Sequence, residues 1–347
     1  MKIDLKILEK YKEDGLITTR KHPLYDIYVH NYTIKCSFDR KWDDITMLCR
    51  GLVTDENGMI LALPFKKFFN YGEREIDNKY LLQKPKKLSS KEDGSLGIIF
   101  NYNNEWIITT RGSFESDQAI KGQNILDYQI DLKSLNKNYT YLTEIIYPEN
   151  HIVVNYPQEC LYLLGINNNI SCNELEINFE DDFGFKYPEE IEFDTLKELM
   201  EWMKFQPIEN SEGWVALYDD GTRLKVKYEN YVKLHKLVIG LNERRIWENL
   251  SAGNINELIK MIPEEYSEWA EKVIFELKKQ FNIINLQVDI DYSNLELYRY
   301  KNNIINPLNK TRKEIAEEIK KTKYPGLLFA KLDGKEYKSR IWDIIKP

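Results

Sequence analysis

Cysteine is scarce in this sequence, and where it occurs it is scattered. Cys36, Cys49, Cys160 and Cys172 form no C-x-x-C pair and stand near no histidine cluster. That excludes a zinc framework and a disulfide framework, and the reducing cytoplasm is the compartment expected. Histidine is equally sparse: His22, His30, His151 and His235 have no metal-ligand spacing, so no catalytic role is assigned to them. Long apolar runs are missing too. The chain opens MKIDLKILEKYKEDG, charged from its second residue, and nothing approaches the roughly 20 apolar residues that span a bilayer. No internal repeat or low-complexity segment is evident. At 347 residues, the chain is long enough for two domains that each bury a core.

An excess of positive charge is the last absence. The net charge of -7 argues on its face against a nucleic-acid partner, because phosphate binding rests on Lys and Arg. Distribution alters that argument. Residues 171–201 carry 11 acidic and 2 basic side chains, whereas residues 299–347 carry 13 basic and 6 acidic. Either stretch, taken alone, reads equally well as a solvated face.

What is present falls into two textures. From about Met47 to Lys227, β-branched and aromatic runs are broken by Asn-Gly, Asp-Gly and Asn-Asn pairs, the pattern of antiparallel hairpins. Residues 50–67 flank Glu56-Asn57-Gly58, and residues 213–228 flank Asp219-Asp220-Gly221. Trp106–Thr110, Tyr141–Tyr147, His151–Tyr156 and Leu161–Ile166 read as further strands. After Tyr231 apolar residues recur at helical spacing with almost no glycine. Asn254 or Asn256 is a candidate cap, Pro263 a first-turn proline, and Pro325-Gly326 a stop for the run before it.

The sharpest local feature is Lys91-Glu92-Asp93-Gly94. A lysine amine attacks the α-phosphorus of a nucleoside triphosphate only when deprotonated, and nearby cations or a metal favour that state. Glycine lets the backbone approach a nucleotide closely. A second copy, Lys331-Leu332-Asp333-Gly334, lies in the helical half and reads as a turn. Lys225 and Lys227 alternate on one strand and point to one face, where two ammonium groups can hold a phosphate; a solvated strand face is the bland alternative. Glu212 opens the partner strand of that hairpin. Glu144 lies inside an apolar strand, where an unpaired carboxylate is expensive to bury. It is either a site residue or an edge residue facing water.

The order of these elements resembles the successive motifs of covalent nucleotidyltransferases. After Lys91 come Thr110-Arg111-Gly112-Ser113, Thr143-Glu144-Ile145-Ile146-Tyr147, Leu163-Leu164-Gly165, Glu212-Gly213-Trp214-Val215 and Leu224-Lys225-Val226-Lys227. Arg50-Gly51-Leu52-Val53, Lys67-Phe68-Phe69-Asn70, and Tyr231-Val232 with Leu234-His235 look like flanking elements of the bacteriophage RNA ligase 1 family. The resemblance covers roughly residues 50–235. One position departs: Arg111 stands where the phage ligase has lysine, exchanging a point charge for a planar fork.

The resemblance implies an α+β protein. Residues 1–240 would form an antiparallel-sheet nucleotidyltransferase domain with an ATP-grasp-like ligase core, and residues 241–347 an all-α domain serving the RNA substrate. It implies an ATP-dependent RNA ligase in which Lys91 carries AMP, assisted by Lys225 and Lys227. Arg50, Lys67, Glu92, Arg111, Glu144, Tyr147, Lys225 and Lys227 would bind the nucleotide. Arg50 and Lys67 are assigned to the triphosphate tail, and Tyr147 either stacks on adenine or belongs to the core. Phe68 and Phe69 read as core residues. Glu144 and Glu212 would hold Mg²⁺ or Mn²⁺, which take few carboxylates beside phosphate oxygens. The expected partner is single-stranded or nicked RNA, tRNA being the family's familiar case, with a separate kinase or phosphatase to prepare the ends. A phage or microbial source follows from the same resemblance. Two alternatives stay open: a GTP-using capping transferase, and a non-catalytic RNA-binding relative.

Overall fold

A computed structural model describes residues 1–150, 153–177, 183–205, 210–238, 240–262, 266–301 and 311–347. The chain divides into two compact units, Met1–Ile239 and Gly240–Pro347. In chain order the first contains α1 (Leu5–Glu13), β1 (Ile17–Lys21), β2 (Ile27–Tyr32), α2 (Ile34–Phe38), α3 (Asp44–Leu48), β3 (Arg50–Asp55), β4 (Ile60–Ala62) and β5 (Phe69–Asn70). There follow β6 (Lys87–Ser90), β7 (Ser95–Tyr102), β8 (Glu105–Thr109), α4 (Asp117–Gln129), β9 (Tyr139–Ile146), β10 (Cys160–Asn168), β11 (Glu174–Leu175) and β12 (Glu190–Ile191). The unit ends with α5 (Leu196–Phe205), β13 (Gly213–Leu217), β14 (Arg223–Lys227) and α6 (Glu229–Val238).

Among the described residues the strands form three sheets, in the orders β1-β2-β3-β4, β11-β10-β9-β7-β8 and β12-β6-β13-β14-β5. Both expected hairpins form: β3 pairs β4 across the Asn57-Gly58 turn, and β13 pairs β14 across Asp220-Gly221. Alternation decides which way each strand faces. Leu88, Trp214, Ala216, Leu224 and Val226 of the third sheet pack on Leu196, Leu199 and Met203 of α5. Each buried Leu, Val or Met among these contributes about 1.5–3 kcal/mol, and the other face of that sheet is left to polar side chains. In the second sheet, Ile98 and Leu142 join Val53 and Ala62 of the first, while Ile99, Tyr141 and Ile145 turn to α4.

Val153–Tyr156 is not a strand, contrary to expectation, and His151 and Ile152 lie outside the described residues. The reason is where its backbone donors go. Val153 and Val154 donate to the Asp93 carboxylate at 3.2 and 3.0 Å, and Asn155 donates to Asn210 Oδ1 at 2.5 Å. With those groups satisfied by side chains, no ladder partner is needed.

The second unit is helical among its described residues: α7 (Glu243–Ala252), α8 (Ile255–Met261), α9 (Ser267–Lys301), α10 (Thr311–Lys320), α11 (Pro325–Leu332) and α12 (Lys338–Ile344). Asn254 precedes α8, although its side chain makes no capping bond. Pro263 lies outside the described residues. Pro325-Gly326 is a start, not a stop: Pro325 is the first residue of α11, where its missing N–H removes nothing the helix needs. The second Lys-x-Asp-Gly is the other end of that helix. Lys331 pairs with Asp289, and Gly334 turns the chain at φ +68°.

His30, on β2, is 3 % exposed, bonded through Nδ1 to Thr19 Oγ1 at 2.9 Å and through Nε2 to Thr54 Oγ1 at 3.0 Å. Burial, then the charge of Lys12, lowers its pKa from 6.5 to about 4. The unfolded chain therefore binds a proton that the fold excludes, and the stability present above pH 6.5 is lost as pH falls toward 4. The full effect is roughly 3 kcal/mol. Thermal midpoints of wild type and His30→Gln, read between pH 7 and pH 4.5, should show the acid sensitivity flattened in the variant; parallel curves would remove His30 as its source.

Candidate active site

The polar face of the third sheet can be read across its register. Ser89 on β6 lies opposite Glu190 on β12 and Val215 on β13; Val215 lies opposite Lys225 on β14. One step of two residues in one direction brings Lys87, Leu217 and Arg223 level. One step in the other brings Gly213 and Lys227, with Lys91 N–H donating to Gly213 O at 2.8 Å to extend the ladder past β6. Because side chains alternate with a period of two, Lys87, Lys91, Arg223, Lys225 and Lys227 all stand on one face.

At the Lys91–Lys227 end of this face is a buried carboxylate. Glu212, 2 % exposed, accepts from Lys91 Nζ at 2.6 Å on Oε2 and from Lys227 Nζ at 2.7 Å on Oε1. A buried anion of this kind persists only because both oxygens are ion-paired. Lys91 Nζ also donates to the Glu92 carbonyl at 3.3 Å. Lys225, the other predicted lysine, sits with Nζ 4.7 Å from the Phe68 ring centroid, and the Arg50 guanidinium lies 5.6 Å from the same centroid. Phe68 packs against the core as expected, from a partly exposed position between two cations, and Phe69, 6 % exposed, lies within the core.

Glu144 enters from the second sheet. Its strand β9 is central, so the alternative of an edge residue is excluded. Leu96 and Tyr162 lie opposite it on the flanking strands, and its Oε1 accepts from Gly94 N–H at 3.1 Å. Desolvation raises its pKa to about 7; Lys91 and Arg50 oppose the rise, and Glu212 adds to it. Glu144 is therefore electrostatically coupled to Lys91, Glu212 and Arg50. Gly94 is required by that strand: a Cβ there would stand 2.5 Å from the Ile145 carbonyl oxygen. The close approach that this glycine permits in the free protein is to β9.

The Lys-Glu-Asp-Gly motif is pinned from several sides. Asp93, 5 % exposed, accepts from Val153 and Val154 N–H and, on Oδ1, from Tyr231 O–H at 2.8 Å. Glu92 accepts from Ser90 Oγ at 2.5 Å and from Tyr156 O–H at 3.0 Å; Asp93 N–H in turn donates to that phenol oxygen at 2.8 Å. Ser90, Asp93 and Tyr156 were not among the predicted site residues. The Asp in the motif was the available signal, and nothing in the sequence pointed to Tyr156.

The remaining predicted residues divide. Lys67, 7 % exposed, donates to Phe68 O at 3.0 Å, with its ammonium 4.1 Å from the Phe69 centroid and 5.6 Å from that of Trp42. Arg111 donates to Tyr32 O–H at 3.1 Å, and its backbone lies beside Gly51, next to Arg50. Tyr147 is the exception. It is buried in the core beneath α4, with Lys121 Nζ 5.9 Å from its ring, so the core alternative holds and a stacking role is not supported.

Glu144 and Glu212 carry the carboxylate oxygens that a hard divalent ion takes, and at Glu212 such an ion would share oxygens already paired with Lys91 and Lys227. Among the described residues no group of three or more His, Cys, Asp and Glu side chains forms a complete cage. Phosphate oxygens and water would have to complete the shell, as Mg²⁺ prefers.

Comparison with known proteins bears on the same stretch of chain. A protein of Rhodothermus phage RM378 named RNA ligase is 22% identical, covering 95% of this chain and 90% of the other. An archaeal ATP-dependent RNA ligase of known structure (form 2) shares the fold at a TM-score of 0.50 and 14% identity, covering 72% of this chain and 65% of that one. The model of the RNA ligase family matches residues 48–233. That span holds Arg50, Lys91, Glu144, Glu212 and Lys227, and the chain belongs to the RNA ligase family.

Proposed function

We propose that this protein seals RNA through a covalent lysyl-adenylate on Lys91, with ATP as the nucleotide. The observation that carries the reading is the ion-paired set Lys91–Glu212–Lys227 on one sheet face, coupled to Glu144. In the first step the Lys91 amine, freed of its proton, forms an N–P bond to the α-phosphorus while the bond to pyrophosphate breaks. Lys225 and Lys227 flank the transferring phosphoryl group and offset its charge, and Arg50, Lys67 and Arg111 orient the leaving pyrophosphate. AMP then passes from Lys91 to the 5′-phosphate of an RNA end. A 3′-hydroxyl attacks that activated phosphate, the 3′–5′ phosphodiester forms, and AMP leaves.

Glu144 and Glu212 would hold Mg²⁺ or Mn²⁺, which when bound neutralises charge on the phosphate oxygens. Glu92 shapes the nucleotide site by fixing Ser90 and Tyr156. The first unit is read as the adenylyltransferase and the helical second unit, with net positive charge over residues 299–347, as the RNA-substrate unit. Nicked or single-stranded RNA, tRNA included, fits that charge, and a kinase or phosphatase would supply 5′-phosphate and 3′-hydroxyl ends that arrive in another form. The cytoplasm is the expected setting.

Incubation with Mg²⁺ and α-phosphate-labelled ATP or GTP tests the reading. An acid-labile protein adduct from ATP alone is expected; labelling by GTP alone would favour capping chemistry, and no label from either would favour a non-catalytic RNA-binding protein.

A further inference from the structure

Asn70 closes the Lys67-Phe68-Phe69-Asn70 run and stands on the polar face of the third sheet. Its strand β5 is the edge of that sheet and pairs parallel with β14, Asn70 opposite Lys225. Paired residues of neighbouring strands share a face, so the two side chains lie side by side. The row that holds them runs Ser89, Val215, Lys225, Asn70 across β6, β13, β14 and β5. Within it, Lys225 is the neighbour of Asn70 and has hydrogen-bond donors to give.

The Asn70 amide is held in one orientation. Its backbone N–H donates to Glu73 Oε2 at 3.1 Å and its Nδ2 to Glu73 Oε1 at 2.5 Å. Glu73 N–H donates back to Asn70 O at 3.1 Å and closes a turn in which Gly72 takes φ +90°. A carboxylate only accepts, so Nδ2 is the amide atom facing Glu73 and Oδ1 points away from it. The turn is itself anchored: Tyr71 N–H donates to Lys225 O at 2.8 Å, and Arg74 pairs with the buried Asp77 at 2.6 Å. Asn70 Oδ1 is buried and has no hydrogen-bond partner among the described residues, an unfavourable state for a carbonyl oxygen. Because it is closed off from solvent, the donor that satisfies it has to come from a side chain already beside it.

We propose that Asn70, clamped by Glu73, is a positioning residue for Lys225. When a nucleotide phosphate draws the Lys225 ammonium off the Phe68 ring, one of its three N–H groups goes to Asn70 Oδ1 and the other two face the phosphate. The proposal rests on the lysyl-adenylate reading for that phosphate. In the free protein the ammonium rests 4.7 Å from the Phe68 centroid. A ring face attracts a cation without fixing where its N–H groups point, whereas a carbonyl oxygen sets that direction. Asn70 acts through Lys225 and touches no substrate itself.

The test is a double-mutant cycle in the full chain, read twice: as single-turnover uptake of α-phosphate-labelled ATP, and as calorimetric binding of α,β-methylene-ATP, which cannot release pyrophosphate. Asn70→Ala should slow uptake about 10–100-fold, the range for losing a hydrogen bond to a charged group, and weaken the analogue about ten-fold. Added to Lys225→Ala, the same change should cost less than about two-fold in either measurement, because the group it positions is gone. A merely structural Asn70 would give additive losses. Glu73→Gln has one acceptor fewer and should fall between wild type and Asn70→Ala with the same dependence on Lys225; it carries the test where Asn70→Ala does not fold. Additive losses, or wild-type behaviour in Asn70→Ala, would overturn the positioning role. A wild type that binds the analogue but takes no label would refute lysyl adenylation while the binding cycle still decides Asn70, and one that does not bind it would remove both.

Discussion

Lys91→Ala is expected to take up no label from ATP and to seal no RNA, whereas Lys331→Ala labels like the wild type. The two lysines share a local sequence and differ in surroundings. Lys91 faces a buried carboxylate that a second lysine also holds, at the junction of two sheets. Lys331 lies in the last turn of a helix, pairs with Asp289 and has Tyr292 and Tyr337 near its ammonium. Alanine removes the atom that bonds to phosphorus, so the loss at Lys91 should be complete within detection, well beyond the roughly 10²–10³-fold cost of losing one charge-stabilising group. Sealing of an RNA already adenylated at its 5′ end separates the steps: Lys91→Ala should retain some of it, because the lysine is spent as nucleophile before that stage. Residual ATP labelling at another lysine would overturn the assignment.

Glu212→Ala should be the most destabilising single change in the site. It leaves the Lys91 and Lys227 ammonium groups, 2.6 and 2.7 Å from the lost oxygens, facing each other with no anion between them. Breaking a buried pair from one side costs about 3–5 kcal/mol, which a shift of the urea midpoint at constant slope would report. Changing Glu212 and Lys227 together to methionine should recover much of that stability without restoring activity. An unchanged midpoint in Glu212→Ala would mean that water already screens the pair. Glu212→Gln keeps the shape but halves the acceptors, and ATP labelling in that variant should fall by at least about 10²-fold.

Much of the site was legible before any coordinates. The period of two put Lys225 and Lys227 on one face, and the turn residues marked both hairpins, because these signals are local. Legibility stopped where a residue's role depended on distant chain. The sequence placed Glu212 near two lysines of its own hairpin, yet its partners are Lys227 and Lys91, the latter 121 residues away. Segment 153–156 has the composition of a strand, but Asp93 and Asn210 take its backbone donors. Tyr147 follows the last residue of β9, a place that local sequence reads equally as stacking or core, and the core claims it. Pro325-Gly326 read as a stop, and the helix that Pro325 begins overturns that reading. The helical unit was recognisable from its spacing and low glycine content.

The separation between Lys91 and its partners has a consequence for the chain during its synthesis. Lys91 emerges early, but Glu212, Lys227 and Tyr231, which hold it or its neighbour Asp93, come last in the first unit. Contacts of such long range form late in folding. A nascent chain that has exposed residues 91–94 alone therefore cannot arrange them, and on the lysyl-adenylate reading proposed above ATP is not consumed until the final hairpin and α6 have closed the first unit.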